Sequence, residues 1–215
     1  MKTYQEVKDY VLSKGYKFFE GEMDPNFICE RTSDIYTNKF TDLLHLLYIR
    51  DGKEVIETYN ITTKPALFGD GSVTDPNVIR GIYGVGIIAE GQHLRCWKMM
   101  FMDLLEDDNF EFKGYPHYNN PCMHQVDEIV IFRDGDRDVE IDRSIIEVST
   151  NDGFNGHYMG DGEDLSFQNY DLAWSLGCIG SYKSIWRKVC KTLYECSKYT
   201  GDYLSVTVIN PSIGN

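Results

Sequence analysis

Short apolar runs of strand length, separated by turn residues, fill the middle of this 215-residue chain. Such runs predict strands, because strands in folded proteins are short and end at Gly, Pro, Asn or Asp. Asp51-Gly52, between the first two runs, is typical of a hairpin turn. The predicted strands cover residues 43–49, 55–61, 79–89, 93–102, 128–132, 145–148 and 203–209.

Segments with helical periodicity flank this β-rich region. An apolar stripe within residues 3–14 predicts a first helix, and Gly15 can end it. Residues 24–34 are polar and rich in turn residues, which predicts a connection. Ser181 is the candidate N-cap of a second amphipathic helix, which ends near Gly201.

The composition is that of one folded domain. Hydrophobic residues make up 42% of the chain and aromatic residues 13%, which is enough to bury a core at this length. No repeat, low-complexity tract or linker divides the sequence. We therefore expect a single domain over residues 1–215, of the α+β class and mainly β, with peripheral helices. Residues 1–40 are a candidate N-terminal helical extension.

The chain is strongly acidic, with a formal net charge of -13 and an isoelectric point near 4.7. Nucleic-acid binding needs clustered Lys and Arg, so we expect no nucleic-acid partner. The first residues are polar, and no run approaches the roughly 20 apolar residues of a membrane span. The sequence thus predicts neither a signal peptide nor membrane insertion. Its six cysteines form no framework, so we expect mostly unbridged thiols.

One histidine and one cysteine stand in contexts that thiol chemistry can use. A thiol with a pKa of roughly 8.5 is mostly protonated near neutral pH, so Cys178 needs a base to attack an acyl carbon. His157 can be that base. Gly177, beside the cysteine, lets a substrate approach closely and lets backbone N–H groups turn toward a developing oxyanion. We therefore expect a Cys-His catalytic site, with Ser175 beside it.

These two elements resemble the signature of the L,D-transpeptidase catalytic domain, in which a histidine precedes a Ser/Thr-x-Gly-Cys element by about this distance. The surroundings are similar to those in phage-encoded and prophage-encoded relatives. Residues 153–157 read Gly-Phe-Asn-Gly-His, and residues 174–178 read Trp-Ser-Leu-Gly-Cys. The resemblance covers most of the chain, with further similar segments at residues 38–42, 62–65, 90–92, 97–98 and 130–134.

The resemblance implies an L,D-transpeptidase-like β-sandwich and a cysteine peptidase that cleaves peptidoglycan stem peptides through an acyl-enzyme, without a cofactor. Gly180 stands where the cross-linking branch has an arginine. This departure favours hydrolysis, by an L,D-carboxypeptidase or endopeptidase. A phage lysin fits this branch: it would be made in the host cytoplasm and act at the cell wall, after holin-dependent release or as a virion component. A cross-linking L,D-transpeptidase and a non-catalytic virion or wall-binding protein stay open as alternatives.

Other residues have candidate supporting roles in that site. Asn155 and Ser175 can hold the loops that carry the pair, and Trp174 can form a wall of the groove. A substrate carboxylate can meet a cation on the strand over residues 93–102. The candidate catalytic residues are Cys178, His157, Gly177 and Ser175, and the candidate substrate-binding residues are Asn155, Trp174, His124, Lys98 and Arg95.

Three further motifs have bland interpretations. Residues 84–89 match a dinucleotide-binding fingerprint by letter, but no helix is predicted after them, so their glycines are interpreted as points of close backbone approach. The acidic run over residues 134–142 suits a calcium ion or a solvated hairpin equally well. No metal is expected, although the candidate calcium ligands are Asp134, Asp136 and Asp138, and the candidate zinc ligands are His117, Cys122 and His124.

Overall fold

The computed structural model is mainly β and belongs to the α+β class, as the sequence predicts. It describes residues 2–35, 39–64, 85–113, 119–134, 140–150, 153–159 and 177–210. The helices are α1 (Tyr4–Ser13) and α2 (Lys183–Thr200), with a 3-10 helix at Met102–Glu106. The strands are β1 (Asn26–Glu30), β2 (Asp42–Arg50), β3 (Lys53–Ile61), β4 (Val85–Ile88), β5 (Gly91–Met100), β6 (Cys122–Gln125), β7 (Glu128–Asp134), β8 (Ile145–Thr150), β9 (Gly156–Tyr158), β10 (Ile179–Ser181) and β11 (Tyr203–Ile209).

Eight of the strands form one large mixed sheet in the order β10-β9-β6-β5-β11-β1-β2-β3. Its two end strands meet, because Thr62 follows β3 directly and pairs with Gly180 of β10. The Thr62 N–H donates to the Gly180 carbonyl at 2.8 Å, and the Gly180 N–H donates to the Thr62 carbonyl at 3.0 Å. These two hydrogen bonds, here called the seam, close the sheet into a near-barrel.

A buried polar network holds the chain beside the seam. Asp42 accepts hydrogen bonds from the backbone N–H and the hydroxyl of Thr63, at 3.1 and 2.8 Å. Its second oxygen lies 3.1 Å from the Lys64 ammonium, and both side chains are almost completely buried. Arg31, also buried, donates to the Thr63 hydroxyl at 3.0 Å. Each charge in this network has a partner, as burial of an ion requires.

Helix α2 covers one face of the large sheet. Its apolar stripe is fully buried, because its members recur at helical spacing and all face the strands. The indole N–H of Trp186 donates to the carbonyl of Pro121 just before β6, at 3.0 Å, which fixes the helix over the sheet. Within the described residues, no helix has the length and apolarity needed to cross a membrane. The buried residues of α2 are Trp186, Val189, Cys190, Thr192, Leu193 and Cys196.

The remaining strands form a smaller sheet in the order β4-β7-β8. Glu90 links it to the large sheet, because its carboxylate binds the guanidinium groups of Arg31 and Arg143, each at 2.8 Å. Only the residues Ala89 and Glu90 separate β4 from β5, so a strand follows the fingerprint where a dinucleotide site needs a helix. The non-nucleotide interpretation of residues 84–89 is thereby supported, with Gly84 itself outside the described residues.

Most of the predicted elements are present, and the differences have physical causes. The first helix, the hairpin at Asp51-Gly52 and the closing strand are confirmed. In the described part of residues 1–40, helix covers only Tyr4–Ser13, whereas β1 is an inner strand of the large sheet. The prediction that residues 24–34 form a connection is therefore wrong for β1. Of the strand predicted over residues 79–89, residues 79–84 lie outside the described part.

The predicted cap of the second helix is also wrong. Tyr182 is the N-cap of α2, and no side chain caps it. Ser181 instead belongs to β10, where its hydroxyl donates to the Asn60 carbonyl at 2.6 Å. The cysteine prediction holds: all six cysteines lie in the described part of the chain, are buried, and form no disulfide.

Removal of the buried ammonium beside the seam tests how much this network stabilises the fold. Lys64→Met leaves the Asp42 carboxylate buried without its cation, so we expect the free energy of unfolding to fall by about 3–5 kcal/mol. The matched control is Lys191→Met, whose partner Asp108 is exposed, and it should change stability little. Urea unfolding monitored by circular dichroism measures both. Equal effects of the two substitutions would contradict the structural role of the network.

Candidate active site

His157 and Cys178 lie on neighbouring strands at the closed end of the large sheet. β9 and β10 are parallel, and His157 pairs with Gly180. Cys178 precedes Gly180 by two residues, so an extended chain places both side chains on the same face of the sheet. Strand spacing and rise put their Cα atoms about 8 Å apart. The two residues that the sequence singles out are thus diagonal neighbours.

The histidine is held in a defined tautomer. Its Nδ1 lies 2.7 Å from the backbone carbonyl of Tyr158, and only 1% of the residue is exposed. A carbonyl only accepts hydrogen bonds, so Nδ1 carries the proton in this contact. In the neutral ring the lone pair is then on Nε2. His157 therefore has the tautomer of a general base.

The cysteine sulfur faces two backbone groups of the segment before β9. The Cys178 thiol donates to the Gly153 carbonyl at 3.4 Å, and the backbone N–H of Asn155 faces the sulfur. Burial raises the pKa of Cys178 to about 11, whereas the Asn155 contact acts in the opposite direction. Only 8% of the residue is exposed. The thiol is thus protonated at neutral pH and needs a base to react.

Gly177 adopts a backbone conformation that other residues rarely take. Its φ angle is +129°. A Cβ at this position would lie 2.1 Å from the Gly86 carbonyl oxygen and 2.7 Å from the ring of Phe154. Gly86 in turn is close to Phe154, at 2.3 Å from its own ideal Cβ. The backbones of Gly177 and Gly86 therefore approach each other closely. Gly86 belongs to residues 84–89, the segment that matches the dinucleotide-binding fingerprint by letter.

An apolar cluster surrounds the sulfur. Phe40 and Met159 are buried against Cys178, and the ring of Tyr182 packs edge-on against Phe40 with 5.6 Å between centroids. Met159 follows His157 by two residues, so it lies on the same face of β9. The Asn60 side chain donates to the Phe40 carbonyl at 3.0 Å and fixes that segment. The cluster accounts for the burial that raises the pKa of the thiol.

Two of the predicted substrate-binding residues share the face of the Cys-His pair. Lys98 pairs with His124 across β5 and β6, and both are half-buried. Met123 pairs with Gly156, so their neighbours His124 and His157 lie together on the other face. Lys98 and His124 therefore form a polar row beside the site.

The other predicted site residues are placed differently. Arg95 is exposed. Its backbone N–H donates to the hydroxyl of Ser205, and its charge acts to lower the pKa of Asp24. None of these contacts connects Arg95 to the Cys-His pair. The side-chain oxygen of Asn155 accepts the backbone N–H of Gln125 at 3.0 Å. Asn155 thus holds the segment before β9, as one of its predicted roles requires. Ser175 and Trp174 lie outside the described residues.

Sequence reasoning missed residues that fix this segment from other strands. Gln125 is buried and accepts the N–H of Phe154 at 3.2 Å, while its amide donates to the Ser149 carbonyl at 3.0 Å. Trp97 is fully buried, and its indole N–H donates to the Phe154 carbonyl at 2.6 Å. These contacts span 29 and 57 residues. Periodicity is a local signal and cannot show them, although Trp97 does lie in one of the similar segments.

The candidate metal ligands are only partly described. Asp134 is buried at the end of β7 and accepts the N–H of Asp142 at 3.1 Å. Cys122 is completely buried, and burial raises its pKa to about 12. Asp136, Asp138 and His117 lie outside the described residues. Among the residues that are described, no group of three or more His, Cys, Asp and Glu is arranged to hold a metal ion.

Comparison of the chain with protein-family models, with curated proteins and with solved structures found no match. The elements of the site are a thiol, an imidazole of fixed tautomer on the same sheet face, and a glycine of positive φ that lies close to the Gly86 backbone and the Phe154 ring. Such a set suits nucleophilic attack on an acyl carbon.

The close approach at Gly177 can be tested by substitution with alanine. Gly177→Ala adds a methyl group where the Gly86 carbonyl leaves no room, so we expect a large drop in melting temperature. Gly201→Ala is the matched control, because its φ is also positive, at +78°, but nothing lies near its Cβ. The control should lose about 1–3 kcal/mol from backbone strain alone, because the ψ angle of Gly201 is -174°, in a region that only glycine adopts readily. A Gly177→Ala protein as stable as the control would contradict the described packing.

Proposed function

We propose that the protein is a cysteine-dependent peptidoglycan peptidase, an L,D-carboxypeptidase or endopeptidase of the L,D-transpeptidase-like type. The observation that carries the proposal is the hydrogen bond from His157 Nδ1 to the Tyr158 carbonyl. It supports a base with its Nε2 lone pair on the sheet face that Cys178 shares. The resemblance of both sequence elements supplies the substrate class, and a role as a phage lysin at the cell wall follows from the same resemblance.

In the proposed reaction, His157 Nε2 takes the proton of the Cys178 thiol, and the thiolate attacks the carbonyl carbon of a stem-peptide bond. Backbone N–H groups at Gly177 and Cys178 stabilise the oxyanion, a contribution of about 3–4 kcal/mol per donor in other enzymes. The protonated imidazole then gives its proton to the leaving amine. Water, deprotonated by the same imidazole, hydrolyses the acyl-enzyme and releases the thiol.

Hydrolysis is proposed over cross-linking because of Gly180. Its backbone N–H and carbonyl are both committed to the seam with Thr62. A Cβ there would lie 2.5 Å from the Met159 methyl group and 2.6 Å from the His157 carbonyl oxygen. The position has no room for the arginine of the cross-linking branch, so that charge does not anchor an acceptor strand.

A second candidate is a non-catalytic virion or wall-binding protein with the same fold. The observation that favours it is the burial of the cysteine, since a thiol with a pKa near 11 and 8% exposure resists attack by solvent-borne groups. The two candidates differ in whether the buried thiol of Cys178 catalyses cleavage of a substrate. Muropeptide analysis separates them.

The first test is mass spectrometry of muropeptides after purified peptidoglycan is incubated with the protein. We expect loss of a terminal residue or a cut cross-bridge, and Cys178→Ala should reduce the rate by about three orders of magnitude. Cys96→Ala is the matched control, because Cys96 is also buried and donates to backbone carbonyls, but lies elsewhere. In the same assay, an added amine that appears in the product would assign the protein to the cross-linking branch.

A parallel pair of histidine variants tests the base. His157→Gln should abolish turnover, whereas His45→Gln should retain it, although both histidines are almost completely buried. Unchanged muropeptides with a folded wild-type protein, across several wall chemistries, would reject the peptidase and support the non-catalytic candidate.

A further inference from the structure

Two consecutive peptide units of the segment before β9 face the Cys178 sulfur. The carbonyl of Gly153 accepts the thiol proton, at 3.4 Å from sulfur. The N–H of Asn155 faces the same sulfur, opposite the Phe154 carbonyl of its peptide unit, and it lowers the pKa of the thiol. The first contact suits the protonated thiol, and the second suits the thiolate, which only accepts hydrogen bonds. The segment therefore offers a partner to each protonation state.

Each of these peptide units is held at its opposite edge by a side chain. The C=O and N–H of a planar trans peptide point in opposite directions, and the described residues contain no cis bond. The Phe154 carbonyl belongs to the unit whose N–H comes from Asn155, and it accepts the Trp97 indole N–H at 2.6 Å. The Phe154 N–H belongs to the unit of the Gly153 carbonyl, and it donates to Gln125 at 3.2 Å.

Trp97 is itself fixed in position. It lies on β5 between β6 and β11, where it pairs with Gln125 and Leu204, and none of its surface is exposed. The ring of His93 packs edge-on against it, with 6.0 Å between centroids. An indole enclosed in this way cannot leave the Phe154 carbonyl without a change in the core. Its N–H thus sets the tilt of the peptide unit that faces the sulfur.

We propose that Trp97 is a positioning residue for the nucleophile, whose indole N–H holds the Phe154-Asn155 peptide unit so that the Asn155 N–H stabilises the Cys178 thiolate. The proposal rests on the proposed function only in taking Cys178 as the nucleophile. It does not depend on the substrate. Without the indole N–H, the Phe154 carbonyl loses its buried partner, and the peptide unit can turn to find another.

Alkylation of the sulfur reports on this contact directly. Iodoacetamide reacts with the thiolate, so its rate at Cys178, followed by peptide mass spectrometry, measures thiolate stability at each pH. Because the pKa lies near 11, the wild-type rate should rise about tenfold per pH unit between pH 7 and pH 10. Trp97→Phe keeps an aromatic ring but removes the donor. We expect its alkylation rate at Cys178 to be about tenfold lower than that of the wild type at every pH.

The matched control is Trp186→Phe. Trp186 is equally buried, and its indole N–H also donates to a backbone carbonyl, that of Pro121. Its ring packs beside Gly156, next to the segment that faces the sulfur, but its N–H does not bind that segment, so the control separates loss of packing from loss of the donor. Both variants should lose similar stability in urea unfolding. Only Trp97→Phe should lower the alkylation rate of Cys178. The kcat of its peptidase activity should also fall by more than its KM changes.

The outcomes separate the two proposals. If Trp97→Phe and Trp186→Phe lower the alkylation rate equally, or if neither lowers it, the positioning role of Trp97 is overturned, whereas the proposed peptidase function is unaffected. A wild-type Cys178 that resists alkylation at every pH would instead reject the nucleophile itself. An alkylation rate that Trp97→Phe alone lowers supports the positioning role of Trp97, whatever the muropeptide assay shows.

Discussion

The seam between Thr62 and Gly180 is the contact on which both the fold and the candidate site depend. Without it, β3 and β10 would be exposed edges of an eight-stranded sheet, with unpaired N–H and C=O groups along each. With it, the sheet closes, and β10 is held between β9 and the chain after β3. Cys178 immediately precedes β10. The closure that satisfies the edge groups thereby also places the sulfur beside the histidine strand.

Burial has two opposite effects on the thiolate form of Cys178. Packing of Phe40 and Met159 around Cys178 removes water and raises its pKa, which suppresses the thiolate. The same exclusion of water strengthens each hydrogen bond that remains. The Asn155 N–H and the imidazole of His157 thus have more effect here than they would in solvent. In the proposed reaction the buried nucleophile depends on its fixed backbone partners, so residues distant from the sulfur, such as Trp97, would affect its reactivity.

The sequence predicted the parts of this arrangement that leave a local signal. Strands of regular alternation and the Cys178 and His157 elements can be read from neighbours in the chain. β1 could not, because five residues flanked by turn residues are too short a signal, and its burial comes from pairing with β2 and β11. Ser181 has the side chain of a helix cap, but its hydroxyl donates to the Asn60 carbonyl near the seam. The fixation of Phe154 by Trp97 and Gln125 is long-range and has no periodicity to reveal it.

The partner of His157 is a carbonyl, and the environment of the site explains why that suffices. A carboxylate behind the imidazole would be a second charge in a region that is nearly dry, and its desolvation would cost several kcal/mol unless further donors bound it. The Tyr158 carbonyl fixes the same tautomer without a charge. In the proposed reaction, the proton moves from sulfur to Nε2, and the imidazolium and the thiolate neutralise each other. The Cys-His pair therefore keeps zero net charge through this proton transfer, and burial penalises the step less than it penalises the isolated thiolate.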